Sequence, residues 1–213
     1  MKKNNEGGIL IVGAGGHAFS CLDVIKAQAK YEVVGFVGKP DELGTKIGGY
    51  AVLFCDDGLE EAISLAENFL IGIGQIKTAE TRRRLFDKIQ GIGGKLPVIV
   101  SSKGYVSPNA EVGPGTIVHH GAVVNAGAII GANCIINTGA FVEHGAIIGD
   151  HCHISTGAMV NGDVEIGTES FVGSGAIIKQ GIRVGSHSVV GMGAVVKTNL
   201  PERAWVGTGV NRK

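Results

Sequence analysis

The sequence predicts two folds in series: an α/β domain with a parallel sheet, then a parallel β-helix of hexapeptide repeats. Apolar runs alternate with helical periodicity over residues 1–98. An aliphatic residue then recurs at every sixth position from Val106 to Val196. A strict period of six fits neither a helix nor an ordinary strand, but it marks a β-helix whose hexapeptides each form one strand and one turn. The 36 glycines and the 5% aromatic content suit a core too narrow for large rings.

Strand and helix patterns define the elements of the first domain. The runs ILIVGA, YEVVGFVG and FLIGIG predict three buried strands. Helical periodicity predicts helices over Ala18–Lys30, Leu59–Asn68 and Thr78–Gly91. This alternation predicts a parallel sheet. We therefore divide the chain into an α/β domain at 1–98, a β-helix at 99–200 and a C-terminal cap or tail at 201–213.

The repeats predict which side chains point into the rod. Residues alternate inward and outward along a strand, so the aliphatic position and the usually small residue two before it both point inward. Two outward stripes are also apolar, and such stripes indicate an interface. A three-sided rod with apolar sides most simply forms a closed homotrimer. The stripes are Tyr105, Val123, Phe141, Met159, Ile177 and Val195, and Ile117, Ile135, His153, Phe171 and Val189.

Composition and cysteine usage limit the partners. With 19 basic and 19 acidic residues among 213, the net charge is zero, so nothing favours nucleic acid or a membrane surface. The apolar patch near the N-terminus is too short and too interrupted by glycines for a signal peptide or a transmembrane helix. We expect a cytoplasmic protein. Cys134 and Cys152 lie three hexapeptides apart, where a disulfide is conceivable, but a reducing compartment favours two inert core thiols.

A glycine-rich turn follows the first strand. Residues 13–18 read GAGGHA and fit G-x-G-x-x-A between a strand and a helix, a Rossmann-like arrangement that cradles phosphate. NAD binding would require an acidic residue about 20 positions further on. Gly38 and Lys39 occupy that place, which argues against NAD. Gly74 and Gln75 close the third strand, at the edge where such sheets bind ligands.

The GAGGHA turn, the repeat segment NTGAFVEHGAIIGDHCHISTGA and the short C-terminal tail together resemble a known family. It is the bacterial sialic-acid O-acetyltransferase and nucleotide-aminosugar N-acetyltransferase family. The chain looks most like enzymes that acetylate the 4-amine of UDP- or dTDP-linked 4-amino-4,6-dideoxy sugars. The resemblance covers nearly the whole chain. It implies a left-handed rod, acetyl-CoA as co-substrate and a role in surface glycan biosynthesis.

The resemblance also implies a general base. His144 follows the strand that ends at Val142, and it would accept the proton of the attacking sugar amine. Family members commonly carry Asp or Glu immediately after this histidine, thought to raise its basicity, whereas Gly145 stands there in this chain. Glu143 could replace that acid only if its side chain turns toward the imidazole. The alternative is a surface histidine without a catalytic role.

The remaining site residues are also implied by the resemblance. His153, Ser174 and Met192 match contacts to acetyl-CoA, although His153 could equally be an interface histidine. Arg212 or Lys213 could bind a CoA phosphate, or belong to a frayed basic tail. The nucleotide-sugar diphosphate would lie against Gly13, Gly15, Gly16, His17, Gly38, Lys39, Gly74 and Gln75. Gly38 and Lys39 replace an Asp-Asp pair of the family, which leaves the nucleobase open.

Three alternatives to this function remain at the sequence level. A zinc hydratase built on a hexapeptide rod would need converging imidazoles with an H-x-x-x-x-H pair. No two of the seven histidines are five apart, so we expect no metal. O-acetylation of a sialic-acid-like sugar and a catalytically degenerate sugar-binding scaffold both stay open.

Overall fold

The computed structural model describes residues 6–207, which begin with a five-stranded α/β sheet. The strand order is β3-β4-β2-β1-β5, with β3 antiparallel to β4 and the other pairs parallel. The strands are β1 Gly8–Val12, β2 Glu32–Gly38, β3 Lys46–Ile47, β4 Tyr50–Cys55 and β5 Asn68–Ile71. The helices are α1 Gly16–Gln28, α2 Leu59–Ala62 and α3 Glu80–Gly91, with 3-10 turns over Pro40–Glu42 and Asp56–Gly58.

The sequence prediction was wrong for two parts of this sheet. The predicted helix Leu59–Asn68 ends at Ala62, and Asn68 instead opens β5 beside Ile9. The Asn68 side-chain amide donates a 3.0 Å hydrogen bond to the Gly8 carbonyl, so a long-range contact overrides the local helical pattern. Strands β3 and β4 were missed, and β3, at the edge of the sheet, makes the sheet mixed rather than wholly parallel.

The hexapeptide repeats form a three-faced rod of two-residue strands, and each face is a parallel sheet. The Phe141 face contains Tyr105–Val106, Val123–Val124, Phe141–Val142, Met159–Val160, Ile177–Ile178 and Val195–Val196. The Ile147 face contains Glu111–Val112, Ile129–Ile130, Ile147–Ile148, Glu165–Ile166 and Arg183–Val184. The His153 face contains Ile99–Val100, Ile117–Val118, Ile135–Ile136, His153–Ile154, Phe171–Val172, Val189–Val190 and Trp205–Val206.

The core of the rod confirms the inward register. The aliphatic residues and the small residues two positions before them form one buried cluster along the rod. Phe141 pairs with Met159, so residues 18 apart stack on successive coils. Cys134 and Cys152 are buried, free thiols of this cluster. Three hexapeptides therefore make one coil of the rod, and the two cysteines lie on successive coils.

The α/β domain packs against the side of the rod. Ile99, Ile117 and Ile135 of the His153 face share a buried cluster with apolar residues of β1 and α1. This corrects the expectation that both apolar stripes face other subunits, because the chain itself covers the start of this one. The other stripe remains partly open, with Tyr105, Met159 and Val195 exposed. Over residues 6–207, no helix combines the length and apolar character needed to cross a bilayer.

Candidate functional site

The glycine-rich turn forms a cavity of about 390 Å³ at the N-terminus of α1. The first N–H groups of a helix lack intrahelical partners, and they favour an anion. A Cβ at Gly13 would lie 2.8 Å from Ile73 and 3.2 Å from the Gly72 carbonyl, whereas one at Gly15 or Gly16 would meet nothing within 4 Å. The turn is therefore tight on its inner side and open toward the cavity. The cavity brings together seven residues of the predicted sugar-nucleotide set: Gly13, Gly15, Gly16, His17, Gly38, Lys39 and Gly74.

A second, largely apolar groove of about 620 Å³ runs along the His153 face. It contains the predicted acetyl-CoA residues His153, Ser174 and Met192, and also Gln75. The Ser155 and Ser174 hydroxyls lie 3.0 Å apart at its wall. Phe171 and Trp205 add aromatic surface that the sequence-based assignment did not include. The groove can therefore bury an apolar chain along several coils of the rod.

The cavity and the groove meet at His17 and Gly74, which line both. His17 is the second residue of α1, and Gly74 lies just beyond β5. The helix N-terminus thus faces the glycine-rich cavity on one side and the apolar groove on the other. A ligand with a charged part and an uncharged part could lie across this junction.

Three histidines lie between α1 and the rod and are held neutral by burial. Burial lowers the pKa of His17 to about 3 and the pKa values of His119 and His153 to about 4. His153 Nδ1 donates to the Gln75 carbonyl at 2.8 Å, and its Nε2 accepts from the Asn137 amide at 3.2 Å. These bonds fix the ring orientation and the tautomer, while burial lowers the pKa and keeps His153 neutral at neutral pH.

Among the described residues, His17, Cys21 and His119 are the group that offers three converging metal-ligand atoms, all within 4.8 Å of one another. Burial raises the pKa of Cys21 to about 12, so its thiol is protonated at neutral pH. The buried Arg82 guanidinium lowers the pKa values of His17 and Cys21, and the same positive field opposes a bound cation. We interpret the group as a neutral part of the domain interface.

His144 lies elsewhere on the rod, at the corner between the Phe141 face and the Ile147 face. Its imidazole is exposed and rests on Gly162 of the next coil, where a Cβ would lie 2.7 Å from Nε2 and 3.2 Å from Nδ1. Glu143 accepts a 2.8 Å hydrogen bond from the Asn125 amide on the preceding coil. One carboxylate oxygen of Glu143 is therefore directed away from the imidazole. His144 does not line the groove or the cavity of its own chain.

Known proteins match both parts of this architecture. Residues 8–89 match the model of the PglD N-terminal domain, and residues 127–162 and 145–180 match the bacterial transferase hexapeptide model. The structure of the acetyltransferase domain of PglB from Neisseria gonorrhoeae with acetyl coenzyme A is 30% identical with a TM-score of 0.85, covering 94% of this chain and 95% of that one. PerB from Caulobacter crescentus with CoA and GDP-perosamine is 30% identical with a TM-score of 0.87, covering 94% and 93%. The chain belongs to the bacterial sialic-acid O-acetyltransferase and nucleotide-aminosugar N-acetyltransferase family.

This family assignment makes the protein an acetyl-CoA-dependent acyltransferase. A variant of the Caulobacter enzyme with one histidine replaced by asparagine, also bound to CoA and GDP-perosamine, matches with a TM-score of 0.89 at 30% identity. No curated protein matches the chain in sequence.

The acetyltransferase also carries site residues that the sequence reasoning missed. Glu42 and Asp56 line the glycine-rich cavity, although the expected acidic position at the end of β2 holds Gly38 and Lys39. Glu42 Oε2 accepts a 2.7 Å hydrogen bond from the Lys39 amide, so its carboxylate folds back over that position. The adjacent run Pro40–Glu42 was a signal that could have located it. Arg212 and Lys213, proposed for a CoA phosphate, lie outside the described residues.

Proposed function

We propose that this enzyme transfers the acetyl group of acetyl-CoA to the 4-amine of a nucleotide-linked 4-amino-4,6-dideoxy sugar for surface glycan biosynthesis. The junction at His17 and Gly74 is the observation that carries this proposal. A nucleotide diphosphate at the N-terminus of α1 would direct its sugar toward the groove, and the pantetheine arm of acetyl-CoA would lie along the apolar wall.

His144 acts as the general base in this proposal. The amine nitrogen attacks the thioester carbonyl carbon, and the carbon–sulfur bond breaks as the tetrahedral intermediate collapses. The proton lost by the amine passes to His144 and then to the departing sulfur, which yields an amide and the CoA thiol. An uncharged sugar amine is itself nucleophilic, so His144 is needed mainly to remove this proton.

In this proposal His144 acts on ligands bound to a second copy of the chain. His144 lies at the one corner of the rod that does not border the His153 face, whereas the groove lies on that face. A closed homotrimer would bring the His144 corner of one subunit to the groove of its neighbour. The exposed side chains Met159 and Ile177 of the Phe141 face, and Ile129 and Ile147 of the Ile147 face, provide apolar surface for this contact.

The nucleotide carrier is UDP or dTDP in this proposal, by resemblance to the enzymes named above. The similar Caulobacter structure binds GDP-perosamine, so a GDP-linked sugar belongs in the same test. Glu42 and Asp56 lie where a carboxylate could accept from a ribose hydroxyl or a base N–H. We place the enzyme in the cytoplasm, in keeping with its free, unpaired cysteines.

The test follows release of CoA thiol by wild type and His144→Ala with acetyl-CoA. The acceptors are UDP-, dTDP- and GDP-linked 4-amino sugars and a free sialic acid. We expect thiol release with at least one amino sugar and its loss in His144→Ala. Release only with the sialic acid would indicate O-acetylation, and no release with any acceptor would indicate a non-catalytic scaffold. Full activity of His144→Ala would refute the assigned base.

A further inference from the structure

The coil that follows His144 places a carboxylate beside Gly145. Residues 18 apart stack in the rod, so Gly162 lies over His144 and Asp163 over Gly145. The Asp163 amide donates a 3.0 Å hydrogen bond to the His144 carbonyl. A Cβ built on Gly145 would collide with Asp163 Oδ1. The Asp163 carboxylate therefore fills the space that a side chain at position 145 would need.

The imidazole and this carboxylate lie at the same corner of two successive coils. The His144 ring lies against Gly162, and Asp163 is the next residue. Glu143, the other nearby acid, already accepts a hydrogen bond from Asn125. A negative charge close to a histidine stabilises its imidazolium form. The Asp163 carboxylate occupies the start of the space that an acid at position 145 would fill, so it is the acid placed to take that role.

We propose that Asp163 is the positioning residue for His144, supplying from the next coil the acid that the chain lacks at position 145. This proposal rests on the proposed function, because His144 must be the base. When the sugar amine attacks the thioester, its proton moves to His144, and the Asp163 carboxylate stabilises the imidazolium. The proton then leaves with the CoA sulfur, so Asp163 itself is not protonated and the reaction stays balanced.

The backbone of the turn alone could explain why position 163 is an aspartate. A variant that keeps the backbone but removes the charge separates this explanation from the proposal. Asp163 has φ of 57°, in the left-handed region that favours Gly, Asn and Asp. Asn would meet this backbone requirement as well as Asp and would keep the shape of the side chain. Asp163→Asn therefore removes the charge while the turn stays intact.

The experiment moves the carboxylate from one coil to the other. Gly145 has φ of +67°, which Asp tolerates, and Asp163→Gly opens the space that a side chain at 145 needs. We expect Asp163→Asn and Asp163→Gly each to lower kcat about 10-fold or more, with KM for acetyl-CoA unchanged. The double variant Gly145→Asp/Asp163→Gly should recover kcat to within a few-fold of wild type.

A matched control is available at Asp150. Its Oδ1 also fills the space of a glycine Cβ on the preceding coil, at Gly131, and accepts a 2.7 Å hydrogen bond from the Ala132 amide. Asp150→Asn should leave kcat unchanged. Full kcat in Asp163→Asn, or a double variant that folds but stays as slow as Asp163→Gly, would overturn the proposal. An inactive wild type, or an active His144→Ala, would instead locate the failure in the proposed function.

Discussion

At the scale of single residues, the position of the His144 imidazole depends on two glycines that leave space around it. Its ring occupies the space above Gly162, and Gly145 leaves room for the Asp163 carboxylate. The sequence predicted His144 and noted the missing acid at 145. It did not reveal Asp163, because that contact depends on a side-chain rotamer across two coils, although the 18-residue period could have indicated the pairing.

Gly162→Ala tests the placement of the imidazole. The added Cβ would lie 2.7 Å from His144 Nε2, so the ring must move. Because His144 is exposed, the ring can swing into solvent at little cost in stability. We expect kcat to fall by about 100-fold, the lower end of what general base catalysis contributes, with Tm near that of wild type. Gly91→Ala, where a Cβ meets nothing within 4 Å, is the control. Wild-type kcat in Gly162→Ala would contradict this geometry.

At the scale of elements, the junction between the α/β domain and the rod is polar and buried. Arg82 of α3 donates to the Ile71 and Ile73 carbonyls at 3.1 and 2.6 Å, and to Asn133 of the rod at 2.7 and 2.8 Å. The predicted helix over Thr78–Gly91 contains this residue, and the structure has α3 over Glu80–Gly91. The helix could be predicted from its local sequence pattern. The partners of Arg82 could not, because they lie near β5 and on the rod, far from it in sequence.

Arg82→Met tests this junction. It leaves several buried acceptors without a donor, so we expect the free energy of unfolding to fall by about 2–4 kcal/mol in urea titrations. Arg83→Met is the matched control. The Arg83 guanidinium is half exposed, and its contact with the Glu169 carboxylate is a long one of 3.6 Å. We expect Arg83→Met to lower the free energy of unfolding by less than about 1 kcal/mol. Equal losses in the two variants would contradict the assigned role of Arg82.

The buried histidines predict a pH dependence of stability. In the unfolded chain they take up protons below about pH 6.5, whereas His119 and His153 in the fold resist protonation down to about pH 4 and His17 to about pH 3. The unfolded state then binds more protons, so stability falls as pH decreases from 6.5 toward 4. Each histidine contributes up to about 1.4 kcal/mol per pH unit.

Urea titrations at pH 7 and pH 5 measure this effect. We expect His119→Gln to reduce the loss of stability between the two pH values, because it removes one of the three titrations. His187→Gln, at an exposed turn, should leave the loss unchanged. An identical pH dependence in wild type and His119→Gln would show that His119 is not held neutral.

At the scale of the whole molecule, the period of six predicted the rod, its inward register and its apolar outer stripes. It could not predict which stripe the chain would cover itself, because that depends on how α1 docks onto Ile117 and Ile135. The remaining Phe141-face stripe and the distance of His144 from the groove of its own chain both favour assembly.

Met159→Glu tests the proposed trimer. The substitution places a charge in the middle of the exposed Phe141-face stripe, where burial against another subunit would be costly. We expect sedimentation at micromolar concentration to show monomers, with loss of acetyl transfer because the shared site cannot form. Leu65→Glu, at an exposed apolar residue of the α/β domain, should remain trimeric and active. A monomeric wild type with full activity would contradict the shared site.

The identity of the acetylated atom tests the central claim most directly. Carbonyl-labelled acetyl-CoA is reacted with the nucleotide-linked 4-amino sugar that supports thiol release, and the product is examined by heteronuclear NMR. We predict that the labelled carbonyl correlates with an amide N–H on sugar carbon 4, and that His144→Ala gives no such product. A labelled ester on a hydroxyl group, or thiol release without a labelled sugar, would contradict the account.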